Sequence, residues 1–204
     1  EEGVTIDTLD LGGGFASKNT LREQYLPGEE TAPSIGQYVR AIAAGLDEGL
    51  AGAEPPRIVL ETGRALVDEA GSLVTSVIGS KRLVDGRRAV VLDAGVNVLP
   101  TAWWYKHPIH PVAPPSGVAE PTGFVGPLCM NIDVLRELAF PPVNAGDRLV
   151  IRHAGAYNVT QWMQFITLRP NVVMVSPRGR HAVIRRAESV KTLLDQEELP
   201  PWLA

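Results

Sequence analysis

Apolar residues recur at helical spacing through Ile35, Val39, Ile42, Leu46 and Leu50, which marks one face of an α-helix. Ser34-Ile35-Gly36-Gln37 opens this stretch as a capping box, with a Ser oxygen for an orphan N–H and a Gln that reaches back. Glu54-Pro55-Pro56 closes it, so a helix is predicted over about 34–51. Two β-rich runs flank it. Val4 to Leu11 alternates and flows into Gly12-Gly13-Gly14. Arg57-Ile58-Val59-Leu60 is short and continuously apolar, as expected of a strand buried on both faces, and runs into Glu61-Thr62-Gly63-Arg64. Residues 21–33 read as an irregular loop, and a short helix is expected to about Ala70. The order strand, glycine loop, helix, strand, glycine turn, helix is that of a parallel sheet or barrel.

Beyond residue 70 the pattern changes. Gly71 to Leu83 alternates and is rich in Val, Ile, Ser and Thr; Gly86 makes a turn, and Ala89 to Leu92 is a further strand. Residues 100–125, dense in proline and aromatics, read as a long irregular stretch. Arg148–Ile151, Trp162–Leu168, Val172–Val175 and Ala182–Ile184 are predicted as short strands, and Ser189–Leu194 as a terminal helix. The expected fold class is α/β, with a parallel unit over residues 1–72 and a mainly antiparallel β domain over 73–204. A strand that opens almost at residue 1 fits two arrangements, the later part of a larger protein or a small α/β domain whose first strand is N-terminal.

Composition narrows the classes. The chain has 204 residues, 45% of them apolar, with 19 basic against 23 acidic side chains. A net charge of −4 argues against nucleic-acid binding, which needs a basic face. No apolar run approaches the ~18 residues of a membrane span, and no signal-peptide pattern opens the sequence. One cysteine excludes an intrachain disulfide, and a cytoplasmic location is expected.

Four places could carry chemistry. Gly12-Gly13-Gly14 can bring backbone N–H groups close to an anion, or can simply be a tight turn. Glu61-Thr62-Gly63-Arg64 offers a carboxylate and a guanidinium at a strand end, for an anion and a cationic ring nitrogen, or a surface ion pair. Cys129 and Asp133, in Gly126-Pro127-Leu128-Cys129-Met130-Asn131-Ile132-Asp133, fit an acid/base pair or a packed cysteine beside a carboxylate. Tyr157 follows Gly155-Ala156 and could place a hydroxyl on a phosphate or lie in the core. His107-Pro108-Ile109-His110 lacks a Cys or acidic partner nearby, so no metal site is expected.

Taken in order, these segments together with Leu9-Asp10-Leu11, Phe15 and Asp93-Ala94-Gly95-Val96-Asn97 resemble the fold-type III pyridoxal-phosphate decarboxylases, the family of diaminopimelate, ornithine and arginine decarboxylases. The resemblance implies the last strands and helices of an alanine-racemase-like (β/α)8 barrel followed by a β domain, in a homodimer with shared active sites. It implies that Gly13, Gly14, Gly63 and Arg64 hold the phosphate of pyridoxal 5'-phosphate, with the Tyr157 hydroxyl added. Glu61 would pair with the pyridine nitrogen and keep the ring an electron sink. Cys129 would protonate the carbanion from the partner subunit, and Asp133 would shape the substrate pocket. The family's Schiff-base lysine and stacking histidine would both precede residue 1, so the chain resembles a C-terminal half that needs its missing N-terminal half.

The substrate implied is a small-molecule amino acid. Met130 stands where the family pattern has an acidic residue, and no arginine accompanies Pro100. Free diaminopimelate is therefore not expected. Trp103-Trp104-Tyr105 with Met130 points instead to a large, modified or carrier-linked amino acid. Two other readings are a racemase of the same fold and a non-catalytic regulatory homologue.

Overall fold

Strands β1 (Thr8–Asp10) and β2 (Arg57–Val59) pair in parallel, with Leu9 opposite Ile58. The computed structural model describes residues 6–203, so Val4 and Thr5 of the predicted first strand lie outside the described residues. Between the strands come α1 (Gly28–Thr31), a single turn within the expected irregular loop, and α2 (Ile35–Leu50). The capping box forms: Gln37 N–H donates to Ser34 Oγ at 3.3 Å, and Ser34 N–H donates to Gln37 Oε1 at 2.7 Å. The apolar face of α2 is not buried among the described residues, with Ile35 and Val39 about half exposed. After β2, α3 (Arg64–Val67) tightens into a 3-10 turn over Asp68–Ala70.

The rest is built on one six-stranded sheet. It comprises β3 (Ser72–Arg82), β4 (Arg88–Leu92), β5 (Ile109–Pro111), β6 (Glu120–Val125), β7 (Val134–Phe140) and β8 (Arg148–Arg152). The strand order is β5-β8-β3-β4-β6-β7, antiparallel throughout except for the parallel β4–β6 pair. Val90, Leu92, Phe124, Leu135, Leu149 and Ile151 fill the core. Among the described residues no apolar side chain before Val77 is buried. A short hairpin of β9 (Val172–Val175) and β10 (His181–Arg185) follows, then α4 (Val190–Leu194), capped by Ser189. The fold is α/β, and no described helix is long and apolar enough to cross a membrane.

Three expectations are corrected. The stretch 100–125 contains β5 and β6, and β7 falls where no strand was predicted. In β6 only Thr122 and Phe124 are fully buried, and Pro121 and Gly123 hide that alternation; pairing on both sides outweighs the local penalty. The predicted strand Trp162–Leu168 does not form, because its polar groups are used elsewhere. Met163 N–H donates to Asn97 O at 2.9 Å, Trp162 Nε1–H to Val98 O at 2.7 Å, and Ile166 is left-handed.

Candidate functional site

The glycine loop leaves β1 and immediately touches the chain leaving β2. Leu11 N–H donates to Val59 O at 3.0 Å and Glu61 N–H to Gly12 O at 2.8 Å. A Cβ at position 13 would lie 2.6 Å from Glu61 O, so a side chain there would force the two segments apart. This join lies at the C-terminal ends of parallel strands, where such folds bind ligands.

Arg64 opens α3 beside it. Its guanidinium carbon stands 4.2 Å from the ring centre of Tyr105 and 4.9 Å from that of Tyr157. Its Nη1 is buried with no hydrogen-bond partner among the described residues; the nearest opposite charge is Asp68 Oδ2, 3.7 Å away. Tyr157 is left-handed at φ 65°, an uncommon conformation for a tyrosine. Its segment is clamped on residues 67–71. Ala154 N–H donates to Gly71 O and Gly155 N–H to Asp68 O, both at 2.9 Å, and any Cβ at position 155 would overlap Val67 O.

Gly13, Gly14, Glu61, Gly63, Arg64 and Tyr157 thus line one cleft of about 630 Å³. Tyr105 lines it too. Along the chain Tyr105 stands with Trp103 and Trp104, which together with Met130 point to a large, modified or carrier-linked substrate. Trp103 and Met130 instead pack against the β core, and Trp104 is half exposed. Nothing along the chain separates Tyr105 from its aromatic neighbours, because its contact with Arg64 joins residues 41 positions apart.

Cys129 and Asp133 lie outside that cleft. Cys129 is exposed. Asp133 is 2% exposed. Its Oδ1 accepts from Val96 N–H and its Oδ2 from Leu128 N–H, each at 2.8 Å. With both oxygens so occupied, Asp133 ties two loops together and positions the one carrying Cys129. His107 is buried, with Nε2 2.8 Å from Thr101 Oγ1 and Nδ1 3.1 Å from Arg152 O, whereas His110 is exposed on β5. Burial pushes His107 down to about 4, with the Arg152 carbonyl opposing. Among the described residues no lysine lines the cleft: Lys18 pairs with Glu69, Lys106 donates to Gln24 O, Lys191 pairs with Asp195, and Lys81 is exposed on β3.

Residues 38–155 match the family described as pyridoxal-dependent decarboxylase, C-terminal sheet domain, and residues 1–68 match the pyridoxal binding domain. The diaminopimelate decarboxylase of Zymomonas mobilis is 33% identical over 98% of this chain and 45% of its own length. That of Helicobacter pylori is 31% identical over 96% of this chain and 46% of its own length. The crystal structure of diaminopimelate decarboxylase from M. jannaschii superposes with a TM-score of 0.83 at 28% identity, over 100% of this chain and 45% of that one. The Helicobacter pylori enzyme complexed with L-lysine gives 0.78 at 26% identity, over 95% of this chain and 45% of that one. The chain therefore spans about half the length of the curated relatives it matches. With the sheet-domain match alone covering more than half of its residues, the chain belongs to the pyridoxal-dependent decarboxylases.

Proposed function

We propose that this chain forms the cofactor-phosphate side and the β domain of a pyridoxal-phosphate-dependent amino-acid α-decarboxylase. In this reading residues 1–72 contribute the last strands and helices of a (β/α)8 barrel, and 73–204 form the β domain. The observation that carries it is the convergence of the glycine loop, Gly63, Arg64 and Tyr157 on one cleft, with a buried Arg64 Nη1 that lacks an acceptor among the described residues. A guanidinium held against two aromatic rings, beside open glycine backbone, fits a phosphoryl group.

Gly13, Gly14, Gly63 and Arg64 bind the phosphate, and Tyr157 adds its hydroxyl. Glu61 holds a proton at the pyridine nitrogen. Pyridoxal phosphate bound there supplies the sink for the electron pair that remains when CO2 leaves. The four lysines lie outside the cleft, which supports a lysine supplied by an N-terminal half. The exposed Cys129 supports delivery of its Sγ proton to the α-carbon in a partner subunit's site, in a cytoplasmic homodimer. Asp133 contributes by holding the Cys129 loop.

The names of the relatives make diaminopimelate the first substrate to test. Met130, in place of an acidic residue, favours a different or modified amino acid. CO2 release by the complete protein, from meso-diaminopimelate beside lysine, ornithine and arginine, decides between them. The same experiment, with pyridoxal phosphate titrated by its absorbance, tests the reaction. Cofactor binding with CO2 release is expected. A complete protein that binds no cofactor is instead a regulatory homologue; one that exchanges enantiomers without CO2 is a racemase.

A further inference from the structure

Asp68 lies behind the cleft and touches each segment that lines its anion end. It is 1% exposed. Its Oδ2 accepts from Ser17 Oγ at 2.5 Å and from Asn19 Nδ2 at 2.9 Å, both on the arm that leaves the glycine loop. The same oxygen lies 3.7 Å from Arg64 Nη1, one helical turn earlier. Its Oδ1 faces Ala156 N–H at 3.4 Å, next to Tyr157, and its backbone oxygen accepts from Gly155. Asn19 Nδ2 also donates to His153 O at 2.8 Å, which carries the network into the segment leading to Tyr157.

We infer that Asp68 is a positioning residue for anion recognition, holding the glycine arm, the Arg64 guanidinium and the Tyr157 segment at the spacing that grips a phosphoryl group. The inference rests on the proposed reading of the cleft as a pyridoxal phosphate site. The position needs a carboxylate because both oxygens face donors, and a carboxylate only accepts. An amide has one oxygen and one NH2 group. Turned one way, its NH2 opposes the Asn19 Nδ2 donor, although the Ser17 hydroxyl can rotate to accept; turned the other way, it opposes Ala156 N–H, so either way one tie between the segments is lost.

The test compares the affinities of the complete protein for pyridoxal phosphate and for pyridoxal, which lacks the phosphate. Wild type should prefer the phosphorylated form. Asp68→Asn should weaken pyridoxal phosphate by about tenfold and leave pyridoxal unchanged, so that the preference shrinks. Ser17→Ala removes one donor to Asp68 from a partly exposed site, and should move the preference the same way by about threefold. A preference unchanged in Ser17→Ala counts against the inference even if Asp68→Asn does not fold. Because Ser17 also lines the cleft, adding Ser17→Ala to a folded Asp68→Asn should change nothing further if Ser17 acts through Asp68. Arg88→Met removes a buried side chain that is bonded to Thr122, Phe140 O and Pro141 O outside the cleft lining. It should lower the melting temperature without changing the preference, which separates positioning from general loosening. A wild type with no preference for the phosphate overturns the cofactor reading itself. A wild-type preference that persists in every folded Asp68→Asn and Ser17→Ala sample overturns the role of Asp68 alone.

Discussion

The guanidinium of Arg64 stands 4.2 Å from the ring centre of Tyr105, a residue of the connection between β4 and β5. The contact matters because an arginine offers its N–H groups usefully to an anion only if its plane is held. Tyr105→Leu should therefore weaken pyridoxal phosphate binding by about fivefold, the scale of one partly buried cation–π contact. Tyr105→Phe keeps the ring and should bind like wild type. Equal losses in both would mean that the hydroxyl, and not the stacking, matters.

Removal of the Asp133 carboxylate leaves the Val96 and Leu128 N–H groups without their acceptor. Asp133→Ala should lower stability by about 3 kcal/mol in urea unfolding. Alkylation of the Cys129 thiol should speed up as its loop loosens. An unchanged midpoint would show that the two loops hold together without this anchor.

Cys129→Ala should reduce CO2 turnover by roughly 100-fold, the usual scale for losing a positioned proton donor. Affinity for pyridoxal phosphate should stay as in wild type, since Cys129 lies outside the cleft lining. Turnover that survives intact would remove the thiol from the reaction.

His107 makes stability depend on pH. Its folded value is about 4 against 6.5 unfolded, so between these limits the unfolded chain carries a proton that the folded chain lacks. Stability therefore falls as pH drops from 6.5 towards 4 and levels off below, by up to about 3 kcal/mol. His107→Gln should flatten this part of the urea-unfolding profile. A slope that stays the same in the variant assigns it to other groups.

Local order was legible where it rests on neighbours along the chain. The capping box and four-and-three spacing marked α2 almost to its ends, and the apolar run marked β2, although the strand is not buried on both faces: Arg57 is exposed and Ile58 and Val59 are only partly buried. The six cleft residues were legible because short motifs carry them. β6 and β7 were not, since Pro121 and Gly123 speak against a strand and Val134–Phe140 mixes both periods. Their pairing partners outvote these local signals. Trp162–Leu168 failed in the opposite sense: its composition suits a strand, but its donors and Asn97 satisfy one another.

The sequence alone determined which residue types stand at the ends of β1 and β2, because glycine, arginine and carboxylate act there through backbone geometry and charge that local context already sets. Only the tertiary structure decided that Tyr105 and Asp68 serve Arg64, and that Asp133 is an anchor for loops. Those roles depend on groups far apart along the chain, such as the Asp68 carboxylate and Ala156 N–H 88 positions on, meeting in a buried space. There a donor must find its acceptor or lose the hydration it gave up, and no pattern along the chain records which partner it finds.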